Sequence, residues 1–235
     1  MASNIDAVIQ ALVRQYDPPL LSEGNEKQVR QSRMGELFTA NWKTSLLLAG
    51  RLWGITVGTI TAGGDVAPVT GGGDGTTVDQ DQPEVVIGVN VGYYLVPVSV
   101  RVSAHVDIDA DADDGDIIVA VDRSAAVPTS VTGTIETPAN QLDGGPAFPG
   151  RAFSAVTADI TDPTVDEILD SEHIQGGQSG NGAYTTVLKM NYEPEVPDLI
   201  AGPCGLYVYW GGVAAVPAIA NIVVAAIPDT WVKPT

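Results

Sequence analysis

The spacing of the hydrophobic positions changes once along the chain, near residue 44. In the first part, apolar residues recur at intervals of three and four, which places them on one face of a helix. The first such face consists of Ile5, Val8, Ile9, Leu12 and Val13. A second helix is predicted from about residue 26 to residue 38, with Met34, Leu37 and Phe38 among its apolar positions. Residues 1–43 are therefore predicted to form a mostly helical N-terminal arm.

From residue 44 onward, apolar and polar residues alternate as they do in strands. In the segment from Tyr94 to Ala112, every second residue from Val98 to Ala110 is apolar. Eight or nine such segments are separated by turns that use many of the 26 Gly and 16 Pro residues. Because no helical crossover joins successive strands, the sheets are predicted to be antiparallel. One short helix is predicted between these strands, from Thr164 to Glu172.

This strand count predicts an all-β fold for residues 44–235, namely an antiparallel β-sandwich of jelly-roll type. A lipid-type barrel and an immunoglobulin-like sandwich are the competing folds, and the latter usually has fewer strands over about 100 residues. The hydrophobic share of 44% is high enough for a substantial core.

The formal net charge is −18. Through residue 43 the acidic and basic residues are equal in number, so the whole negative surplus lies in the predicted sandwich. Such a surface repels phosphate backbones and anionic lipid surfaces, and we therefore expect no direct contact with nucleic acid. The sequence also predicts no signal peptide, no transmembrane segment and, with one cysteine, no intrachain disulfide. We expect a protein that is made and kept in a reducing cytoplasm.

A run of alternating aspartates suggests one possible metal site. Its candidate ligands for calcium are Asp109, Asp111, Asp113 and Asp116. The run departs from a calcium-binding loop, because Asp114 stands where that motif requires glycine and no glutamate follows at the required distance. Two interpretations remain open: a cation site, or the acidic outward end of a hairpin that turns at residues 113–116 and returns along Ile117 to Val121. No other cofactor is predicted.

No catalytic arrangement is predicted, and we expect a protein that is not an enzyme. His105 lies within the long alternating strand, where a solvent-facing side chain is expected. His173 lies in a polar segment without a set of metal ligands around it. The cluster of Tyr207, Tyr209 and Trp210 could form a sugar-binding platform, although a core or a subunit interface is the favoured interpretation.

The closing part of the chain resembles the last hairpin of single jelly-roll viral coat proteins. The similar segments are GPCGLYVYWGG at 202–212 and ANIVVAAIP at 220–228. An N-terminal helical arm, a long apolar strand from Leu52, a glycine-rich loop and a series of strands precede them, so the resemblance covers most of the chain. The layout is most similar to that of small tailless icosahedral viruses of bacteria or archaea. It departs from many RNA-virus coats, whose arms are basic.

The resemblance implies a capsid subunit that assembles with copies of itself in a virion, together with other virion proteins. An internal membrane or a basic protein would then lie between the shell and the genome. The apolar positions of the two predicted arm helices are the candidate assembly interface, and packing of the arm against its own sandwich is an open alternative. A carbohydrate- or receptor-binding module of the phage-fibre or adhesin type is the main competing function. A β-sandwich hydrolase is the other.

Overall fold

The computed structural model describes most of the chain from residue 41 onward. The described residues are 41–60, 66–67, 69–70, 78–107, 114–124, 131–156, 160, 163–175, 185–212 and 216–232. Residues 1–40 of the predicted arm lie outside them, including its interface residues Ile5, Val8, Ile9, Leu12, Val13, Met34, Leu37 and Phe38.

The described residues form strands with a helix near each end. The helices are α1 (Trp42–Leu48) and α2 (Asp229–Val232). The strands are β1 (Leu52–Val57), β2 (Thr59–Ile60), β3 (Val66–Ala67), β4 (Val69–Thr70), β5 (Val85–Val89), β6 (Tyr93–Asp107), β7 (Asp114–Asp122), β8 (Thr134–Glu136), β9 (Ala139–Asn140), β10 (Gly150–Ser154), β11 (Glu167–Gln175), β12 (Thr185–Tyr192), β13 (Ile200–Ala201), β14 (Cys204–Gly212) and β15 (Pro217–Pro228).

Most of these strands belong to two sheets that pack face to face. The first sheet has the order β12-β6-β15-β1-β9, with β13 also paired to β6 and β4 also paired to β15. The second sheet has the order β11-β7-β14-β5-β10-β8, and β2 pairs with β3 separately. The pairings in both sheets are antiparallel. The predicted all-β antiparallel sandwich is therefore confirmed.

Eight strands make up the main part of the two sheets, namely β1, β5, β6, β7, β11, β12, β14 and β15. Counted in chain order, the first pairs with the eighth, the second with the seventh, the third with the sixth and the fourth with the fifth. The eighth also pairs with the third, and the seventh with the fourth. The central order is thus 1-8-3-6 in the first sheet and 2-7-4-5 in the second.

Alternation along the strands fills the space between the sheets. In β14, Leu206, Val208 and Trp210 point into the main core. Tyr207 and Tyr209 point the other way, into a smaller cluster on the outer side of the second sheet. Every residue of β14 is buried, because the strand is covered on both faces.

The long strand β6 departs from the predicted alternation at Val98. The register with β15 shifts there, since Val223 pairs with Ser99 and Val224 with Pro97. A bulge adds one residue to a strand and so reverses which side chains face inward. Val100 therefore lies in the main core, whereas Val98 lies in a cluster on the outer side of the first sheet. The prediction that these two side chains share a face was wrong for this reason.

Three other sequence-based predictions were wrong. The segment predicted as a helix from Thr164 to Glu172 contains the start of β11, which pairs with β7. The predicted hairpin around residues 113–116 does not form, because β6 and β7 belong to different sheets. The predicted closing hairpin also divides, with β14 in the second sheet and β15 in the first. Alternation had located β6, β7, β14 and β15 but could not identify their partners, and it had not located β11.

The segment between β7 and β11 closes one side of the sandwich. Within it, β10 and β8 extend the second sheet beyond β5, and β9 pairs with β1 in the first sheet. The indole Nε1 of Trp53 in β1 donates to the carbonyl oxygen of Pro146 at 3.1 Å. This segment therefore connects the two sheets at their edges.

Replacing Gly150 with alanine is expected to lower the free energy of unfolding by about 2 kcal/mol, because it inserts an extra methyl group into a well-packed region. A β-carbon at this position would collide with the carbonyl oxygen of Gly88 in the neighbouring strand, so β10 would have to move away from β5. Urea unfolding followed by circular dichroism measures the change.

The control is Gly144→Asn, at a position where φ is +73° and an added β-carbon meets no atom within 4 Å. Asparagine tolerates this conformation, and its effect should be small. Equal effects of the two substitutions would contradict the close approach of β10 to β5.

Candidate assembly surfaces

Helix α1 covers part of the outer side of the first sheet. Its residues Trp42, Leu46 and Leu47 pack against a buried cluster that consists of Leu52, Val96, Val98 and Ala225. The side chain of Asn41 caps the helix by accepting from the Thr44 N–H at 2.8 Å. The domain boundary predicted between residues 43 and 44 falls within this helix.

The rest of this outer side is a polar surface with exposed cationic groups. Directly opposed residues of an antiparallel pair point to the same side of a sheet. Lys189 in β12 lies opposite Ser103 in β6, and Asn191 lies opposite Arg101, which in turn lies opposite Asn221 of β15. We call the surface formed by Arg101, Ser103, His105, Lys189, Asn191 and Asn221 the cationic face. His105 is exposed there, as predicted.

A shared carboxylate ties the cationic face to α1. Glu193 accepts from Lys43 Nζ at 2.6 Å and from Arg101 Nη2 at 3.1 Å. Arg101 Nε also donates to Asn191 Oδ1 at 3.0 Å. The hydrogen bonds from Lys43 and then Arg101 lower the pKa of Glu193. One carboxylate thus pairs with two cations, and the cluster of Lys43, Arg101 and Glu193 keeps a net positive charge.

The adjacent side of the sandwich is acidic. There β11, the edge strand of the second sheet, packs beside β12, and it carries Glu167, Asp170 and Glu172. We call these three residues the acidic flank. Nearby, burial is the main cause that raises the pKa of Tyr192 to about 12, with the charges of Asp198, Glu167 and Asp170 contributing. The exposed Ile168 lies in the same strand, at 56% of its full accessible surface.

The aromatic pair Tyr207 and Tyr209 is not available as a sugar platform. The two rings stack at 6.3 Å and are 1% and 3% exposed. Phe153, Val156 and Ile160, from the segment between β7 and β11, cover them together with neighbouring apolar residues. Burial is also the main cause that raises the pKa of both phenols. The favoured prediction, a core position, is confirmed for this pair and for Trp210.

A buried carboxylate joins the two ends of the segment between β7 and β11, which we call the covering segment. Asp122, which is 1% exposed, ends β7. Its Oδ1 accepts from the N–H and hydroxyl of Ser124 at 2.8 and 2.9 Å, and its Oδ2 accepts from the Thr164 N–H at 2.8 Å. Arg123 continues the contact through an ion pair with Glu167 at 2.5 Å. Asp122 therefore connects the end of β7 with the approach to β11, a role that its sequence position did not indicate.

The predicted calcium ligands fall mostly outside the described residues. Asp109, Asp111 and Asp113 lie there, and Asp116 is described. Asp116 Oδ1 lies 2.7 Å from His173 Nδ1 across the β7–β11 pair. Among the side chains that the structure describes, no group of three or more metal-binding residues occurs.

Cys204 lies in the main core, and its Sγ contacts the carbonyl oxygen of Ile200 at 3.6 Å. Burial raises the pKa of this thiol from 9.0 to about 11. This rise lowers the thiolate fraction at pH 8 about 100-fold, and the thiolate is the reactive form. Native protein should therefore react with a disulfide reagent at least 100-fold more slowly than protein in 8 M urea. Comparable rates would contradict the packing of Cys204.

The same burial predicts a loss of stability in alkali. The folded-state pKa of the thiol lies above its unfolded value, so folding favours the protonated form. This contribution is fully present below about pH 9 and is lost as the pH rises through about 11. Cys204→Ala should lose less stability than the wild type between these pH values in urea titrations. An unchanged pH dependence would assign the loss to other groups.

One end of the sandwich exposes apolar side chains around the turn between β5 and β6. Val91 in this turn is 75% exposed, Leu199 is 49% exposed and Val232 of α2 is 37% exposed. Backbone hydrogen bonds bring their segments together, from the Asp229 N–H to the Gly92 oxygen at 3.0 Å and from the Gly202 N–H to the Tyr93 oxygen at 2.8 Å. The sequence did not indicate this cluster, because it combines three distant segments.

No helix among the described residues is both long and apolar enough to cross a membrane. In comparisons with known proteins, the chain matches no protein-family model and no curated protein.

Proposed function

We propose that this chain is the coat subunit of a small tailless icosahedral virus of bacteria or archaea, and that its sandwich is a jelly roll. The observation that carries the proposal is the strand order 1-8-3-6 in one sheet and 2-7-4-5 in the other. In one long hairpin, strand 1 pairs with strand 8, 2 with 7, 3 with 6 and 4 with 5. When such a hairpin folds over on itself into two sheets, it has this order. Jelly rolls consist of eight strands in two Greek keys, and viral capsids use them widely.

The fold alone does not select one function, since lectins and cupins also use jelly rolls. The surfaces favour a subunit of a larger assembly. They combine the cationic face, the acidic flank and exposed apolar residues at one end. Interfaces between proteins combine apolar contacts with a polar, solvent-accessible rim. The buried pair Tyr207 and Tyr209 removes the feature that had suggested a sugar-binding module.

Under this proposal the protein is structural rather than catalytic and resides in the virion after synthesis in the host cytoplasm. Its partners are copies of itself and other virion proteins. Its charge of −18 favours a shell that does not contact the genome directly. Calcium binding by Asp109, Asp111, Asp113 and Asp116 remains part of the proposal.

Light scattering across a series of salt and calcium concentrations tests self-assembly. We expect the purified chain to change from small oligomers to particles of uniform mass under part of this series. Addition of a chelator should reverse the change if calcium contributes. A monomer or trimer of constant mass across the whole series, together with binding on a glycan array, would instead support the receptor-binding module.

A further inference from the structure

The cationic face concentrates positive charge in a strongly acidic protein. The opposed strand segments 99–105, 187–191 and 219–223 contain no Asp or Glu. They contribute Arg101, whose side chain is 61% exposed, and the exposed Lys189. Lys43 adds a third cation through the carboxylate of Glu193. This face therefore attracts an acidic partner, while the chain as a whole repels one.

The acidic flank has the charge and the spacing to complement this face. Lys189 and Arg101 are diagonal neighbours on paired strands, which places them about 7–8 Å apart. Asp170 and Glu172 are two residues apart in β11, which corresponds to about 7 Å. The cationic face also exposes one apolar side chain, Val187, which lies opposite His105 and is 43% exposed. Two carboxylates of one copy could thus meet two cations of another.

We infer that the cationic face of one copy docks against the acidic flank of a second copy. The inference rests on the proposed self-assembly and names the surfaces that perform it. The two surfaces are different patches of one molecule, so the contact is heterologous. Contacts of this kind generate closed rings when the rotation between copies closes. Rings are the units from which a shell is built.

Zero-length crosslinking of mixed unlabelled and ¹⁵N-labelled protein tests the contact directly. A carbodiimide joins a lysine to a carboxylate only when the two are in contact, and mixed isotopes identify links between copies. We expect links between copies from Lys189 to Asp170 or Glu172. Association without such links would overturn the inference, even if shells form.

Charge reversal provides an independent test. Lys189→Glu should weaken association at least 10-fold in sedimentation experiments at low salt. Glu172→Lys should do the same, and combining the two substitutions should restore association, because the exchanged charges attract again. Arg151→Glu is the matched control, since it makes the same charge change at an exposed residue of β10 in the other sheet. Equal weakening by Lys189→Glu and Arg151→Glu would contradict the inference.

These results separate the inference from the proposed function. Crosslinked dimers from Lys189 without any shell would support the contact and count against the coat subunit. Shells that tolerate Lys189→Glu would support the coat subunit and overturn the contact. Binding of a fluorescent single-stranded oligonucleotide that Lys189→Glu abolishes would also overturn it, because the occupant of the face would then be nucleic acid.

Discussion

Replacing Trp53 with alanine is expected to lower the free energy of unfolding by about 4 kcal/mol, within the range for large buried aromatic residues. Trp53 is 0% exposed and belongs to the main core. Its ring meets Phe148 edge-on at 5.5 Å, and its Nε1 donates to the Pro146 oxygen. The substitution would therefore leave a large cavity and also release the segment that closes the sandwich.

Urea unfolding followed by far-ultraviolet circular dichroism measures this effect without depending on tryptophan fluorescence. Trp53→Phe keeps a ring in the core but loses the donor, and it should cost about 1–2 kcal/mol less than alanine. Trp231→Ala is the matched control, because that ring is only partly buried and stacks under Arg51 at 5.0 Å. A loss from Trp53→Ala as small as that from Trp231→Ala would show that Trp53 does not hold the core.

Replacing Asp122 with alanine is expected to lower the free energy of unfolding by about 3 kcal/mol, because buried donors then lose their acceptor. The donors are the Ser124 N–H and hydroxyl and the Thr164 N–H. We expect the end of the covering segment to loosen from β7, so its amides near Thr164 should exchange with deuterium faster. Hydrogen exchange read by mass spectrometry measures that local change.

Two further substitutions make the Asp122 result specific. Asp122→Asn keeps one acceptor oxygen and should be less harmful than alanine. Asp143→Ala removes an exposed carboxylate and should change stability by less than about 0.5 kcal/mol, as surface substitutions do. If Asp122→Ala left exchange near Thr164 unchanged, the link between β7 and the approach to β11 would be wrong.

The sequence predicted the strands better than their partners. Alternation identified the apolar face of β6 between Val100 and Val106, because burial on one side imposes a period of two. It could not place the bulge at Val98, which depends on the register with β15. Alternation also led to the prediction that β14 and β15 form one hairpin. The alternating pattern of each strand is compatible with a partner in either sheet, so it could not separate them. Pairing is a long-range property that local periodicity does not contain.

The acidic segment before the glycine-rich loop shows a second limit. Residues 164–172 have few apolar positions and no clear alternation, so a short helix with a solvated face was predicted there. The register irregularity between Ile168 and Asp170 explains the missing alternation in β11. The segment nevertheless forms a strand, because it pairs with β7. Leu169 and Ile174 are also partly buried against the main core.

The candidate surfaces were the least predictable part of the molecule. Arg101 and Lys189 are 88 residues apart in sequence and meet only through the β6–β12 register. A net charge of −18 concealed this local positive surface. The assembly residues predicted in the arm lie outside the described residues and remain predictions.

Electron cryomicroscopy of the assembled material tests directly whether this chain is a coat subunit. We expect closed shells of icosahedral symmetry, with density for a two-sheet sandwich in each subunit and α1 on the outer side of the first sheet. A discrete small oligomer that never closes, imaged under the conditions that give the largest mass in solution, would contradict the claim that this chain is a coat subunit.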